Sequence, residues 1–366
     1  MRVKYYQHHF IGLSILALLL FNGCTHTDGF SFAVTGDPMA DGATWVNALT
    51  EIRDMNVNPD PQFDQSAFVI CVGDIAPVDL RYKEYKEVFK KAPLLIIIGN
   101  HEFDDAGGVP GDPKASKGGK SGKGSKGGKG GKGSKGGKGG KASQGGKGGK
   151  GGGQKGGKAA AGDPAIIDFA FIRDEVIPAT PNVVLRKEKS CSYYYDHKNV
   201  RIISVDGYSG EFGFAGIINA EGKEWVEGVI KSTPSSIDHV FVSIHAPAFP
   251  RVRHTGDSFN AGPEERNAFW NMLMAHRDKV HGVFVAHTHY YYRMRVADPA
   301  GEAANNFEVY PDEKDGIYQV DVGAVGRGPK STILHVEVDG KNVSFRVLEA
   351  ENGSDEPFNV IDEWQL

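Results

Sequence analysis

Leu94-Leu95-Ile96-Ile97-Ile98-Gly99-Asn100-His101-Glu102 is the stretch on which the reading turns. Five consecutive apolar residues predict a strand buried on both faces, of the kind parallel sheets use. Gly99 permits a sharp backbone turn. Asn100 and His101 follow at the strand's carboxyl end, where open α/β sheets place their chemistry. Neither polar side chain belongs unpaired in an apolar core.

The same pattern recurs along the chain. Phe32-Ala33-Val34-Thr35-Gly36-Asp37 is an apolar run, a glycine and an acid, and Phe68 to Asp74 repeats it. Val240 to His245 is a run ending in histidine, and Val283 to His289 is a run ending in His287-Thr288-His289. Five predicted strands thus deliver Asp37, Asp74, Asn100 with His101, His245, and His287 with His289. Oxygen and imidazole ligands gathered in this way point to a single metal site.

In this order the blocks resemble the calcineurin-like metallophosphoesterase superfamily, which includes the purple acid phosphatases. The likeness runs from about Ser31 to about Arg293, and the Gly99-Asn100-His101-Glu102 block is its most specific part. It implies an α/β sandwich of two mixed sheets flanked by helices. It also implies a metal-dependent phosphoester hydrolase with two ions, Fe, Mn or Zn. Two ions polarise phosphoryl oxygens and lower the pKa of a shared water. By the resemblance Asp74 bridges the two ions. Asp37 and His289 complete the first position, and Asn100, His245 and His287 hold the second. His101 binds no metal and serves as general acid or phosphate donor.

Two positions depart from the family pattern. Met39 stands where a histidine is usual; two residues after Asp37 on an extended strand end it is expected to point into the first metal position, and a thioether is a poor ligand for such a metal. Pro77 stands where the purple acid phosphatases carry a tyrosine ligand. The first ion is therefore expected to bind weakly unless Asp41, Asp79 or Tyr82 substitutes. Ala286 replaces the glycine usual before the His-x-His, which is acceptable where φ is negative. Arg251, Arg253 and His254 follow the His245 loop and are candidates to meet a substrate phosphate. His197, His276 and His281 read as surface residues.

The remainder of the chain supplies the frame. Its 366 residues carry a formal net charge of −4, unevenly spread. Residues 1–24 read as a targeting segment: Arg2 and Lys4, a 12-residue apolar run from Phe10 to Phe21, then Gly23-Cys24. The run is short for a membrane span. It fits a lipoprotein signal ending at Cys24 or an ordinary secretory signal; both take the mature chain out of the cytoplasm. By the resemblance, residues 25–366 are expected to form the metallophosphoesterase domain, interrupted by a low-complexity insertion over 107–162. Lys117 to Lys158 holds 13 lysines and no acid or large apolar residue. Such a segment cannot bury enough surface to offset its ordering entropy. Without those lysines the 42 basic residues fall to 29 against 46 acidic, a net charge near −17. A polycationic arm thus leaves an acidic body just after His101, either to capture polyanions or as an expanded repeat with no role. Nothing in the sequence asks for an oligomer. Cys71 reads as a buried core thiol, and a bridge from it to Cys191 is open but unneeded in a core of this size.

Helices are expected over Asp41 to Met55, Lys83 to Lys91, Asp168 to Val176, Glu221 to Lys231 and Arg266 to His276. Further strands are expected at Ser192 to Tyr195, Val200 to Val205, Gly316 to Val322, Thr332 to Val338 and Val343 to Glu349. The last two form a hairpin across Asp339-Gly340. Two functional classes follow: a phosphoester hydrolase, with a phosphomonoesterase ahead of a phosphodiesterase, and a degenerate binding protein tethered to polyanions. Met39 favours the second; Asn100-His101 and His287-Thr288-His289 favour the first.

Overall fold

A computed structural model describes residues 29–39, 42–55, 66–104, 164–185, 190–353 and 357–366. The targeting segment, Asp41 and the Lys-rich insertion lie outside these residues. No helix among the described residues is long and apolar enough to cross a membrane.

The chain opens with β1 (Phe30–Thr35), α1 (Gly42–Met55), β2 (Val69–Cys71), α2 (Val78–Val88) and β3 (Leu94–Ile96). β1, β2 and β3 lie parallel, as βαβ connections require. The expected second helix begins five residues early, directly after Pro77, whose fixed φ suits a helix start. A short α3 (His101–Asp104) follows the β3 exit. The chain returns at α4 (Pro164–Phe171), which packs on α3; a π-helical turn over Ile172–Val176 leads into α5 (Ile177–Ala179).

The second half supplies β4 (Val183–Leu185), β5 (Tyr193–His197), β6 (Val200–Ser204) and the small hairpin β7 (Gly213–Phe214) with β8 (Ile217–Ile218). Then come α6 (Ala220–Lys231), β9 (His239–Ser243), α7 (Pro263–Met274), β10 (Val280–Val285), β11 (Tyr291–Val296) and α8 (Glu302–Asn305). The chain closes with β12 (Ile317–Val322), β13 (Lys330–Asp339), β14 (Asn342–Glu351) and β15 (Asn359–Gln365). One sheet has the order β15-β14-β13-β1-β2-β3 and the other β11-β12-β10-β9-β6-β5-β4. Both are mixed: β13 runs antiparallel to β1, while β6, β9, β10 and β12 run parallel. The expected sandwich of two mixed sheets is thus present.

The two sheets bury an aromatic layer between them. The Phe32 ring lies 6.2 Å from Phe241 and 6.4 Å from Phe284, and Phe241 lies 6.1 Å from Phe345. Each such ring, fully withdrawn from water, contributes about 1.5–3 kcal/mol. Trp45 and Leu49 of α1 cover the outer face of the first sheet, and Trp270 and Phe269 of α7 that of the second. Cys71 and Cys191 are buried and free, so they form no bridge.

Parallel strands in both sheets point their carboxyl ends to one edge, and there the sheets touch. A Cβ added to Gly36 would lie 2.7 Å from Ala286 Cβ. The Ala286 N–H donates to the His245 carbonyl, and the Val325 N–H donates to the Gly36 carbonyl. Ala286 has no positive φ, so its methyl costs no backbone strain.

Candidate metal centre

Backbone strain is concentrated at this edge. Nine described non-glycine residues have positive φ, and six of them are Asp37, Asp74, Val252, His254, His287 and His289. Strain of this kind persists only where the surroundings impose it, and it clusters at functional sites. Gly73, at φ 86°, brings the chain round so that Asp74 turns inward. A Cβ on Gly99 would overlap the Asp74 carboxylate, so only glycine lets β3 exit this close.

The strand exits bring the expected side chains together. Asp37, Asp74, His245, His287 and His289 are all buried, and ligand atoms of Asp37, Asp74 and His289 fall within 4.8 Å of one another. Those of Asp74, His245 and His287 form a second such group. Asp74 is the residue the two share. Asn100 joins the second group: its Oδ1 lies 3.2 Å from His245 Nε2, which is also 3.5 Å from Asp74 Oδ1. His101 belongs to neither group. Its backbone N–H donates to Asp74 Oδ1 at 3.0 Å, and its ring, 31% exposed, holds Nε2 3.8 Å from Asp74 Oδ2.

Residues behind the candidate ligands fix them. Glu102, fully buried, accepts the backbone N–H groups of Asp74, Ile75 and Gly99 at 3.1, 2.8 and 2.7 Å. One carboxylate therefore clamps the exits of β2 and β3 in register. Asp321 does the same for the His-x-His turn. It accepts the Thr288 hydroxyl at 2.8 Å and the Gly323 N–H at 3.1 Å. The sequence flagged neither residue's role; Glu102 stood in the decisive stretch, but Asp321 sits 32 residues beyond His289 with no local signal.

The electrostatics call for a cation. Burial pushes the Asp37 carboxyl well above its usual range, with His245 opposing and Asp74 adding to the rise. Burial also acts to raise Asp74, but His245 and His101 outweigh it and hold that group low. Burial lowers His245, yet Asp74, Asp37 and the Val72 carbonyl overcome it and lift the group to about 10. Burial, with His245 beside one and Arg253 beside the other, brings His287 to about 2 and His289 to about 3. Both rings are neutral: the His287 Nε2 lone pair is unpartnered, while the one at His289 Nδ1 accepts from Arg253, which a metal at the other nitrogen would have to accommodate.

Hydrogen bonding agrees. The His245 Nδ1–H donates to Val72 O at 2.6 Å, so a neutral ring turns the Nε2 lone pair toward Asn100 Oδ1 and Asp74 Oδ1. Three acceptors converge there and require a proton or a metal between them. Asp37 Oδ1 and His287 Nε2 are buried with no hydrogen-bond partner. Orphaned buried acceptors are costly unless a cation serves them. The residues present therefore fit a metal centre, and the Asp/His groups could hold one.

Several expectations are corrected here. Arg251 does not reach the site: it is fully buried and donates to the carbonyls of Val309, Pro250, Ala304, Phe249 and Ala303. Arg253 does reach it, donating to His289 Nδ1 at 2.8 Å. The His254 ring packs at a tilt of 35° on that of His287, with centroids 4.1 Å apart, and pairs with Asp257 at 2.9 Å. Asp79 is exposed and accepts from Leu80 N–H, and Tyr82 packs on Phe171; neither supplies an extra ligand. The strand alternation that would aim Met39 inward is broken, because Asp37 sits at φ 50° and residues 38–39 form a turn. His197 is half-buried against Phe30 and Phe68 rather than on the surface. His281 is half-buried beside His239, and burial lowers it to about 4.

No family model matches the sequence, and no curated protein matches it. Among solved structures, the purple acid phosphatase PPD1 from yellow lupin (Lupinus luteus) seeds aligns with a TM-score of 0.52 at 13% identity, over 92% of this chain and 53% of its own. The fold is that of a metallophosphoesterase. The chain spans about half the length of the lupin phosphatase. GAP50, the anchor in the inner membrane complex of Plasmodium, aligns with a TM-score of 0.46 at 10% identity, over 91% of this chain and 89% of its own. A Vps29 double mutant from Entamoeba histolytica aligns at 0.35 and 9% identity, over 92% and 99%. Within the metallophosphoesterase fold, both Asp/His groups lie at the edge where the carboxyl ends of the two sheets meet.

Proposed function

We propose that this chain is a metal-dependent phosphoester hydrolase with a two-ion centre, acting on phosphomonoesters ahead of phosphodiesters. The observation that carries the reading is the pair of buried Asp/His groups sharing Asp74, with Asp37 Oδ1 and His287 Nε2 left without partners. Asp37, Asp74 and His289 would hold one ion, and Asp74, Asn100, His245 and His287 the other. The ions, Fe, Mn or Zn, supply Lewis acidity at the phosphoryl oxygens and an acidified water. His101, at the half-exposed rim, donates a proton to the leaving oxygen or a hydrogen bond to the phosphate. Arg253 and His254 stand where a phosphate would be met.

The first position is the weaker. Among the described residues it has three protein ligands, and Arg253 already occupies Nδ1 of His289. Purified protein at limiting metal should hold about one equivalent per chain. Added Mn²⁺, Zn²⁺ or Fe²⁺ should bring the second and raise hydrolysis across a panel of phosphomono- and diesters. Protein that binds no metal and hydrolyses no ester would replace this reading with that of a degenerate binding protein, which Arg253 on His289 favours.

The proposal includes export of the mature chain through residues 1–24 and capture of polyanions by Lys117 to Lys158. Deleting residues 107–162 should leave Tm nearly unchanged while abolishing retention on immobilised polyphosphate. Retention of the intact protein should fall steeply with salt, as counterion release dictates. Loss of folded protein on deletion would contradict the insertion reading.

A further inference from the structure

Arg253 holds His289 in the wrong form for a metal. Its guanidinium donates to Nδ1 of that ring at 2.8 Å. Arginine has donors only and keeps its proton in a protein, so Nδ1 must supply the lone pair. A neutral imidazole then carries its one proton on Nε2. Nε2 is the nitrogen that faces the first metal position, 3.9 Å from Asp37 Oδ2. A ligating histidine has the opposite arrangement: its outer nitrogen keeps the proton and donates it to a carboxylate, a carbonyl or water. The Arg253 bond and ligation through Nε2 exclude one another.

The local backbone is bent to place this arginine. The residues on either side, Val252 and His254, have φ of 62° and 56°. A β-branched residue is a genuine outlier in the left-handed region. Such strain persists only where the surroundings impose it, and it clusters at functional sites. One residue before Val252, backbone carbonyls grip the Arg251 guanidinium and fix the segment. Arg253 itself is exposed, so its side chain can leave His289 without unpacking the core.

We propose that Arg253 is the gate of the first metal position: bonded to His289 it keeps that position weak, and drawn off by the phosphate of an incoming ester it frees Nε2 for the ion. The inference deepens the hydrolase reading and rests on it. A guanidinium meets a phosphate with two parallel charge-assisted bonds, and an imidazole nitrogen accepts only one. An anion at the mouth of the site therefore competes well for Arg253. Phosphate and the weaker ion are then coupled, and the coupling is reciprocal: each tightens the other by the same factor.

The test is calorimetry of Mn²⁺ binding to the full chain, with no ester present. Arg253→Gln removes the donor-only cation and offers an amide oxygen that can accept the Nδ1 proton. Outer partners of this kind are worth about 10–100-fold in metal affinity. The weaker equivalent of Mn²⁺ should tighten by about that factor in Arg253→Gln, and the stronger one should not change. Arg253→Lys keeps a donor-only cation and should behave as the wild type. Arg327→Gln is the control for charge, because Arg327 acts on the His289 ring through its charge and makes no hydrogen bond to it. It should tighten the weaker equivalent far less. Inorganic phosphate should tighten that equivalent by about 5–150-fold in the wild type, and by much less in Arg253→Gln. An unchanged weaker equivalent in Arg253→Gln, or an equal gain in Arg327→Gln, overturns the gate. An equal effect of phosphate on the wild type and Arg253→Gln overturns its release by the anion. Failure of every form to bind Mn²⁺ overturns the metal centre, and the hydrolase reading with it.

Discussion

Asp74→Asn should empty both of the proposed metal positions at once. Asp74 is the residue common to the two Asp/His groups, and its carboxylate is almost fully buried. Asparagine preserves shape but removes the charge and one anionic oxygen. Losing an outer partner of a metal ligand already costs about 10–100-fold in affinity, and a shared ligand acts on both positions. If each loses about 10², activity at limiting metal should fall by roughly 10⁴. The measurement is metal per chain by elemental analysis, beside initial rates at limiting and saturating Mn²⁺. His289→Ala should empty one position and leave the other near one equivalent. Full retention of metal by Asp74→Asn would show that Asp74 bridges nothing. Circular dichroism on both variants separates loss of metal from loss of fold.

The sequence shows the candidate ligands because each sits at a strand exit, where an apolar run makes the polar residue conspicuous. Asp37, Asp74, His245, His287 and His289 all lie at such exits, and the structure gathers them at one edge. What holds them was far less legible. Arg251 looks like a phosphate contact in the string of residues. Only the packing reveals five backbone carbonyls around its guanidinium. Alternation would aim Met39 inward only along an extended chain, and the left-handed Asp37 breaks that premise. Of the five strands that the sequence reading does not contain, the longest two, β11 and β15, are hidden for opposite reasons. β11 alternates between buried and half-buried positions, but Arg293 and Arg295 give it a polar reading. There the guanidiniums pair with Asp362 and Asp312 and lie over aromatic rings. β15 is an edge strand, mostly exposed, whose Trp364 ring stacks on Phe345 at 4.7 Å. Its place was decided by β14, far from it in pattern.

His101→Ala should separate chemistry from metal binding. The histidine begins α3, and its backbone N–H, not its ring, is bonded to Asp74 at 3.0 Å. Alanine keeps that bond, so Asp74 stays in place and metal content should match the wild type. The ring stands 31% exposed at the rim, in neither metal group, as a proton donor to an incoming ester requires. Removing a general acid lowers kcat by roughly 10²–10⁴. The size of the loss should depend on the leaving group. An alkoxide needs the proton, so methyl phosphate should suffer the full loss. A nitrophenolate leaves well without one, so 4-nitrophenyl phosphate should lose far less. If His101 instead donates a hydrogen bond to the phosphate itself, the two esters should slow by the same factor. Weaker binding of inorganic phosphate should accompany that uniform loss. A variant that loses an equivalent of metal would make His101 a ligand, and both roles would fall.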